Sequence, residues 1–351
     1  MATSADVVGR AREIADEVLF PAALRVDGAD RVPAAQLDLL ASEGYYGMAA
    51  PAEAGGLGLS WPEAAALVET LADGCLTTAF VWLQHHAPVR AVADSPRPGI
   101  RDRWLAPLAR GEHRAGIALA GLRVPDAPMR VTPVDGGYLL DGQAPWVTGW
   151  GMIDTLYTAA LDVSGDVHFL LVDATAAPTL AVRPLELVAV RASATVDVHF
   201  DQHFVPAERL VDRVPYADWS RSDSSGSAMN GFLAIGVAGR CVRLLSPGPA
   251  AEALAAELDA VRSGLLTADS ATVPTARAAA SALTARAAAA LAVQTGARAV
   301  LLDHDAQRLA RESVFLLVFG NRPVIRDALL ADLTAPAPAP KIGQVAGQSG
   351  E

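Results

Sequence analysis

The stretch that most constrains the fold covers residues 138–151, with the sequence YLLDGQAPWVTGWG. It follows an Asp-Gly-Gly hairpin-type turn and ends in the strand-forming triplet Trp146, Val147 and Thr148. An aromatic ring, a β-branched side chain and a hydroxyl on one strand offer a flat wall with a hydrogen-bond donor at its edge. Such a wall suits a planar ring system with polar edges. Taken alone, however, these residues favour a buried hairpin with an ordinary core tryptophan.

The composition is that of a globular protein with a sizeable core. The chain has 351 residues, of which 52% are hydrophobic, enough for one large or two to three smaller domains. No window reaches the ~18 uninterrupted apolar residues of a membrane span, and no signal peptide is predicted at the N-terminus. Two distant cysteines, Cys75 and Cys241, have no metal-ligand spacing. Both are expected to be reduced core residues of a cytoplasmic protein.

Charge and histidine positions exclude two further classes of function. The net charge is −11 and no basic stripe stands out, so no nucleic-acid partner is expected. His85 and His86 are adjacent on a predicted helix and cannot share one face, which makes them a poor metal pair. We expect one of them to face solvent and the other to be hydrogen-bonded, and we predict no metal site.

The hydrophobic period divides the chain into three folded regions. Residues 1–112 predict an N-terminal helical domain. In residues 113–222 short strand-like runs alternate with turns, which indicates a central β-barrel or sandwich domain. Residues 223–334 predict Ala/Leu-rich helices of a C-terminal four-helix bundle, and 335–351 a disordered Pro-rich tail. The predicted strand runs are 117–121, 138–140, 155–160, 167–172 and 194–200.

Several passages resemble the acyl-CoA dehydrogenase superfamily. Residues 104–112, WLAPLARGE, resemble the passage into its β-domain, and 191–195, RASAT, resemble a Ser/Thr-bearing turn that lies close to its flavin. The α–β–α order also matches over roughly residues 5–334. The residues of this chain that resemble the signature of the family's central β-domain are Tyr138, Gly142, Trp146, Val147, Thr148 and Gly151.

The resemblance implies a flavoprotein that uses FAD to oxidise an acyl-CoA-type thioester, as in fatty acid metabolism. In the family the Trp-(Ile/Val)-Thr strand lies along the isoalloxazine ring and its Thr hydrogen-bonds the flavin edge. Trp146, Val147 and Thr148 are therefore expected to form the flavin wall, with backbone from Ala118 and Leu119 opposite. The resemblance also implies a homo- or hetero-oligomer, a dimer or tetramer, joined through the C-terminal bundle.

The catalytic base of the family is missing from the expected position. In the family's reaction a carboxylate removes the α-proton of the thioester while the β-hydride passes to the flavin. Many members carry this carboxylate as a Glu-Gly pair in the turn before the last helix, where this chain has Phe319-Gly320. A phenylalanine cannot accept a proton. Glu312 lies seven residues earlier and is expected to be a surface residue paired with Arg308.

Other family elements are altered as well. Residues 118–125, ALAGLRVP, replace the "T-E-P-x-A-G-S-D" segment, and no "R-x-x-F-G" element is visible between residues 245 and 276. The "Q-x-x-G-G" pyrophosphate loop is reduced to QTGA at residues 294–297. Loss of the second glycine offers a pyrophosphate less close backbone approach.

Three functions remain open on these observations. The first is an acyl-CoA dehydrogenase-like oxidoreductase, with Glu252 or Glu257 as substitute bases by helix position only. The second is a non-catalytic partner subunit that stabilises a sister chain carrying the base. The third is a flavin-dependent monooxygenase on the same fold, which needs no carboxylate base and in which His85 or His86 assists at the flavin.

Overall fold

The computed structural model of the chain describes residues 4–124, 128–224 and 227–335, apart from the side chains of residues 4, 5 and 224. Over these residues a helical region is followed by a central sheet and then by further helices. The predicted α+β architecture is thereby confirmed. The predicted tail lies outside the described residues, except for Ala335. The limits of the three domains stay a prediction.

Seven helices form the N-terminal region. A π-helical turn, Ala15–Leu19, joins the first two. The fourth helix begins with a capping box, in which the Glu63 carboxylate accepts a hydrogen bond from the Ser60 N–H at 2.7 Å. The helices are α1 (Ser4–Ile14), α2 (Phe20–Asp27), α3 (Ala34–Ser42), α4 (Trp61–Gly74), α5 (Leu76–Gln84), α6 (His86–Ala93) and α7 (Pro98–Ala109).

Eight strands form one mixed sheet, in the order β6-β7-β3-β2-β4-β5-β8, with β1 added in parallel to β4. Its first strand ends at Ala118 and Ala120–Arg123 form a 3₁₀ turn, so the predicted strand run 117–121 is wrong in its second half. The strands are β1 (Ala115–Ala118), β2 (Arg130–Val134), β3 (Gly137–Val147), β4 (Thr155–Leu161), β5 (Asp166–Asp173), β6 (Leu180–Pro184), β7 (Val196–Pro206) and β8 (Leu210–Pro215).

The C-terminal region is helical, and it packs closely on the N-terminal helices. A Cβ atom on Gly236 would lie 2.3 Å from the Glu69 carbonyl oxygen of α4, so only glycine permits this approach. After Val318 the chain turns through Phe319 and Gly320 before Pro323 begins the last helix. The helices are α8 (Tyr216–Ser224), α9 (Met229–Leu244), α10 (Pro249–Thr267), α11 (Val273–Thr295), α12 (Asp305–Val318) and α13 (Pro323–Leu333).

The core encloses more charge than the sequence suggested. Arg308 Nη1 and Glu312 Oε1 are 2.8 Å apart, so the predicted pair exists. Both residues are only 1% exposed, however, and the expectation of a surface pair is wrong. The pair is buried because α12 packs against both α2 and α9. Cys75 and Cys241 are buried free thiols, as expected.

The described residues contain neither a membrane-spanning helix nor a cluster of metal-ligating side chains. No helix in 4–124, 128–224 or 227–335 has the length and apolar character needed to cross a membrane. Over the same ranges, His, Cys, Asp and Glu side chains form no group of three that could hold a metal ion.

Candidate functional site

Trp146 stands out because its side chain is exposed at the end of a long central strand. The ladder between β3 and β7 is irregular between Ala144 and Val147, which is the geometry of a β-bulge. Within this bulge Trp146 adopts φ 61°, and its side chain is 63% exposed. The alternative of an ordinary core tryptophan is therefore excluded. Val147 is fully buried opposite Val196, so only its backbone is available to a ligand.

A cluster of three hydroxyl groups lies at the end of the same strand. Thr148 Oγ1 is 3.1 Å from Thr195 Oγ1, and Thr195 Oγ1 is 2.8 Å from Ser193 Oγ. The Gly149 N–H donates to the Ser193 carbonyl oxygen at 2.9 Å. These contacts tie the end of the wall to the turn 191–195, as its resemblance to the family's Ser/Thr-bearing turn suggested. All three hydroxyl-bearing side chains are buried.

Strained backbone is concentrated at this place. Four non-glycine residues of the described chain have positive φ, and three of them, Trp146, Val190 and Ala194, lie in the wall or the adjoining turn. Each such residue costs on the order of 1–3 kcal/mol and persists only where surrounding contacts hold it, which is common at ligand sites. The geometry therefore marks this strand end as a candidate site.

The strand β1 runs beside the wall. A Cβ atom on Gly116 would lie 3.1 Å from the Thr148 carbonyl oxygen, so the two segments are neighbours. Ala118 is 1% exposed in the core of the sheet, and Leu119 packs against the core shared with α6 and α7. Their side chains are thus engaged in packing, and their predicted contact with the flavin through the backbone stays a prediction. Pro125, the last residue of the segment 118–125 that replaces the family's "T-E-P-x-A-G-S-D" element, lies outside the described residues.

Aromatic rings surround Phe319, the residue at the position expected from the sequence for the family's base. Phe319 packs against Phe80 and Phe315, with ring centroids 4.9 Å and 5.2 Å away. Val81, the neighbour of Phe80, lies near the strand end, with its Cγ1 3.8 Å from where a Cβ on Gly149 would be. The predicted turn before the last helix therefore places Phe319 in a cluster of aromatic rings.

The two glutamates considered as substitute bases, and Glu312 on α12, are engaged elsewhere or exposed. Glu312 is enclosed with Arg308, and burial raises the pKa of its carboxyl. Glu257 pairs with Arg286 on the neighbouring helix, with Oε2 and Nη1 2.9 Å apart. Glu252 is exposed in the first turn of α10. The structure brings none of them into the aromatic cluster.

Both adjacent histidines are buried. His85 Nδ1 accepts from the Ala115 N–H, and its Nε2 lies 2.9 Å from the Leu108 carbonyl oxygen. His86 is 5% exposed, packs on Trp82 and has no hydrogen-bond partner among the described residues. The expectation that one of the two faces solvent is wrong, because α5 ends at Gln84 and the chain re-enters the core. Burial lowers the pKa of both imidazoles.

One functional candidate was missed from the sequence. Asp197 on β7 is 8% exposed, and its Oδ1 accepts a hydrogen bond from the Trp146 N–H at 3.4 Å. Its other carboxylate oxygen, Oδ2, accepts a hydrogen bond from Arg183 Nη2. A charged residue between two buried valines, Val196 and Val198, is the signal that was available, because a carboxylate within a sheet needs a partner.

Comparisons with known proteins agree with this architecture. Residues 3–112 match the family model for the acyl-CoA dehydrogenase N-terminal domain. The chain is 30% identical over 198 residues to benzylmalonyl-CoA dehydrogenase of Aromatoleum aromaticum, covering 54% of this chain and 52% of that one. It spans about half the length of the curated relatives it matches.

Solved structures resemble the chain over nearly its whole length. Butyryl-CoA dehydrogenase from Megasphaera elsdenii superimposes with a TM-score of 0.81 at 16% identity, covering 95% of this chain and 99% of that one. PigA with FAD and proline gives a TM-score of 0.78 at 16% identity, covering 95% and 98%. The fold is that of the acyl-CoA dehydrogenases. The family model, the curated relatives and the solved structures all point to the acyl-CoA dehydrogenase superfamily.

Proposed function

We propose that this chain is an FAD-binding oxidoreductase of the acyl-CoA dehydrogenase type that acts on an acyl-CoA-type thioester. The observation that carries the proposal is the exposed indole of Trp146, held in a strained conformation next to the buried hydroxyl cluster of Thr148, Thr195 and Ser193. An exposed large aromatic at a strained position has a cost, and a planar ligand that covers it offsets that cost.

The residues of the wall fit the ring end of FAD. The indole supplies a flat apolar face, and the Thr148 hydroxyl supplies a group able to donate to or accept from a ring edge. Gly149, with φ 92°, leaves the strand end free of a side chain. When bound, FAD accepts a hydride, and the task of these residues is to orient its ring and to keep water away from it.

Relatives support the coarse activity, and the substrate class rests on them. Benzylmalonyl-CoA dehydrogenase and butyryl-CoA dehydrogenase carry acyl-CoA substrates in their names, and PigA was solved with FAD. We extend the thioester substrate and the cofactor to this chain on that basis. We also propose an oligomeric assembly through the C-terminal helices.

A second candidate is favoured by the packing of Phe319. Its ring sits against Phe80 and Phe315 at the turn where a carboxylate is needed. A chain without this base is suited to bind flavin as the partner subunit of a hetero-oligomer whose sister chain supplies the base. The monooxygenase alternative needs no base at all, and the buried His86, without a hydrogen-bond partner among the described residues, is its candidate assisting group.

The test begins with the visible spectrum of the purified protein after incubation with FAD and removal of excess. Co-elution of a perturbed flavin spectrum with the protein supports the proposal, and a colourless protein that binds no FAD contradicts it. Addition of short, medium and steroid-like acyl-CoA under nitrogen then tests the thioester. A further spectral change with any of them supports the substrate class. If the spectrum responds only with a co-expressed paralogue, the partner-subunit function replaces the first one. If oxygen is consumed instead when reduced flavin is supplied to the protein, the monooxygenase function replaces the first one.

A further inference from the structure

We infer that Asp197 is a positioning residue that fixes the orientation of Trp146, and through it the surface offered to the flavin ring. The inference rests on the proposed function, because it assigns a role at the same wall. The inference adds a residue from a different strand, which need not touch the cofactor. It also explains how a tryptophan is kept in a backbone conformation that glycine adopts more readily.

The sheet order places Asp197 between the two groups it contacts. Strand β7 lies between β6 and β3. Arg183 of β6 is in register with Asp197, and Val147 of β3 is in register with Val196, the residue before it. The carboxylate therefore reaches Arg183 on one side and the backbone N–H of Trp146 on the other.

The side chains of Asp197 and Trp146 both lie outside the apolar core of the sheet. Val196, Val198 and Val147 are buried in the core of the sheet on one face. Asp197 lies between Val196 and Val198 and accordingly points to the opposite face, since successive side chains of a regular strand alternate. Ala144 and Val147 of β3 both lie in the core of the sheet, whereas the Trp146 indole in the bulge between them is 63% exposed and lies outside that core.

The bulge explains why a side-chain acceptor is needed. Between Ala144 and Val147 the regular ladder is interrupted, and the Trp146 N–H has left the register that would pair it with β7 backbone. The Asp197 Oδ1 atom takes the place of the missing carbonyl, at a long distance of 3.4 Å. Without this acceptor the Trp146 backbone loses a contact that holds φ at 61°, and the extended conformation that tryptophan prefers re-aims the indole.

The experiment compares four variants of the full chain. Asp197→Ala removes the acceptor and the charge, and Asp197→Asn keeps an acceptor oxygen but removes the charge. Arg183→Ala removes only the exposed partner. Asp201→Ala is the matched control, because Asp201 is an exposed carboxylate on the same strand whose side chain has no hydrogen bond or ion pair within the described residues.

Two measurements are made on each variant. The first is the dissociation constant for FAD, from titration of the flavin spectrum. The second needs no flavin: 5-fluorotryptophan is incorporated and the ¹⁹F resonance of Trp146 is assigned by its loss in Trp146→Phe. The other five tryptophans report on the integrity of the fold.

Asp197→Ala is expected to weaken FAD binding about tenfold, which corresponds to about 1.4 kcal/mol, and to shift or broaden the Trp146 resonance while the other five stay in place. Asp197→Asn should recover most of both effects, and Arg183→Ala and Asp201→Ala should change FAD affinity less than threefold. An unmoved Trp146 resonance in Asp197→Ala overturns the inference. So does wild-type affinity for FAD in that variant.

The two claims fail in different ways. If the wild-type chain binds no FAD, the proposed function fails, and the ¹⁹F measurement still decides whether Asp197 orients Trp146. If Asp197→Ala does not fold, Asp197→Leu decides, because leucine fills a similar volume and has no acceptor atom. An unmoved Trp146 resonance in that variant, with the other five as in wild type, overturns the positioning role.

Discussion

The imidazole of His85 accepts a hydrogen bond from the backbone N–H of Ala115, with the two nitrogen atoms 3.0 Å apart. An acceptor at Nδ1 requires the neutral ring with its proton on Nε2, which then donates to the Leu108 carbonyl oxygen. The ring thereby ties the break between α5 and α6 to the end of α7 and the start of β1. Burial lowers its pKa to about 3.

Because His85 is held in its neutral form, we predict that the free energy of unfolding begins to fall with decreasing pH well above pH 3. The unfolded state takes up a proton near pH 6.5, and the folded state does so only near pH 3. The unfolded state therefore holds more protons across this window, and stability falls as the pH falls through it. Between pH 6.5 and pH 5 His85 alone should lower the free energy of unfolding by about 2 kcal/mol. The buried His86 acts in the same direction.

Urea unfolding at a series of pH values measures this effect. His85→Gln should be less stable than wild type at pH 8 and should show a shallower loss between pH 6.5 and pH 5. His199→Gln is the control, because His199 is exposed on β7, and it should follow the wild-type profile. An equal slope in His85→Gln and wild type would show that His85 is not the group responsible.

The wall predicts where FAD affinity resides. Trp146→Ala and Thr148→Ala should each weaken FAD retention, because stacking and an edge hydrogen bond are each worth ~1 kcal/mol or more. Flavin content after gel filtration, at matched folding, measures the loss. Trp61→Ala is the control, since Trp61 is a 41% exposed tryptophan on α4. Flavin content in the wall variants equal to that of Trp61→Ala would refute the assignment.

Exposed aliphatic side chains on the last two helices predict association. Val314 and Val318 on α12 and Leu330 and Leu333 on α13 are half or more exposed, although they are large and apolar. Large apolar side chains exposed one helical turn apart on each helix are typical of an interface. We expect at least a dimer by light scattering at micromolar concentration.

A charge placed in that surface should lower the measured mass. Val318→Arg is expected to shift the protein toward monomer, whereas Val163→Arg, at a fully exposed position in the turn between β4 and β5, should leave the mass unchanged. A wild-type protein that scatters as a stable monomer would contradict the prediction.

The order of the regions and the wall strand were predictable because they depend on period and turn chemistry. The long strand β3, the turn at Phe319-Gly320 and the buried cysteines all follow from local sequence. Two of the strands that were missed, β2 and β6, are short and largely exposed, with a proline in each. Residues of this kind carry little hydrophobic alternation for a sequence argument to detect.

Other features depend on contacts that a local pattern does not contain. Trp146 takes a glycine-like conformation, and the carboxylate contacting it lies 51 positions away along the chain. The π-helical turn at Ala15–Leu19 inserts an extra residue into the first helical repeat, and Val18 within it is 40% exposed although its neighbour Leu19 is fully buried. Tertiary packing decided both cases.

The central claim is that the flavin wall is intact while Phe319 stands in the place of the base. Restoring a carboxylate there is the matching experiment, and Phe315→Glu is its control, because Phe315 stacks on Phe319 at 5.2 Å but lies one turn earlier on α12.

Flavin bleaching after rapid anaerobic mixing with acyl-CoA tests this claim most directly. The isolated wild-type chain should bleach very slowly or not at all, since loss of a positioned general base costs ~10²–10⁴-fold in rate. Phe319→Glu should bleach faster than wild type, and Phe315→Glu should not. Rapid bleaching by the isolated wild-type chain would contradict the account, because it would show that a base already acts beside the flavin.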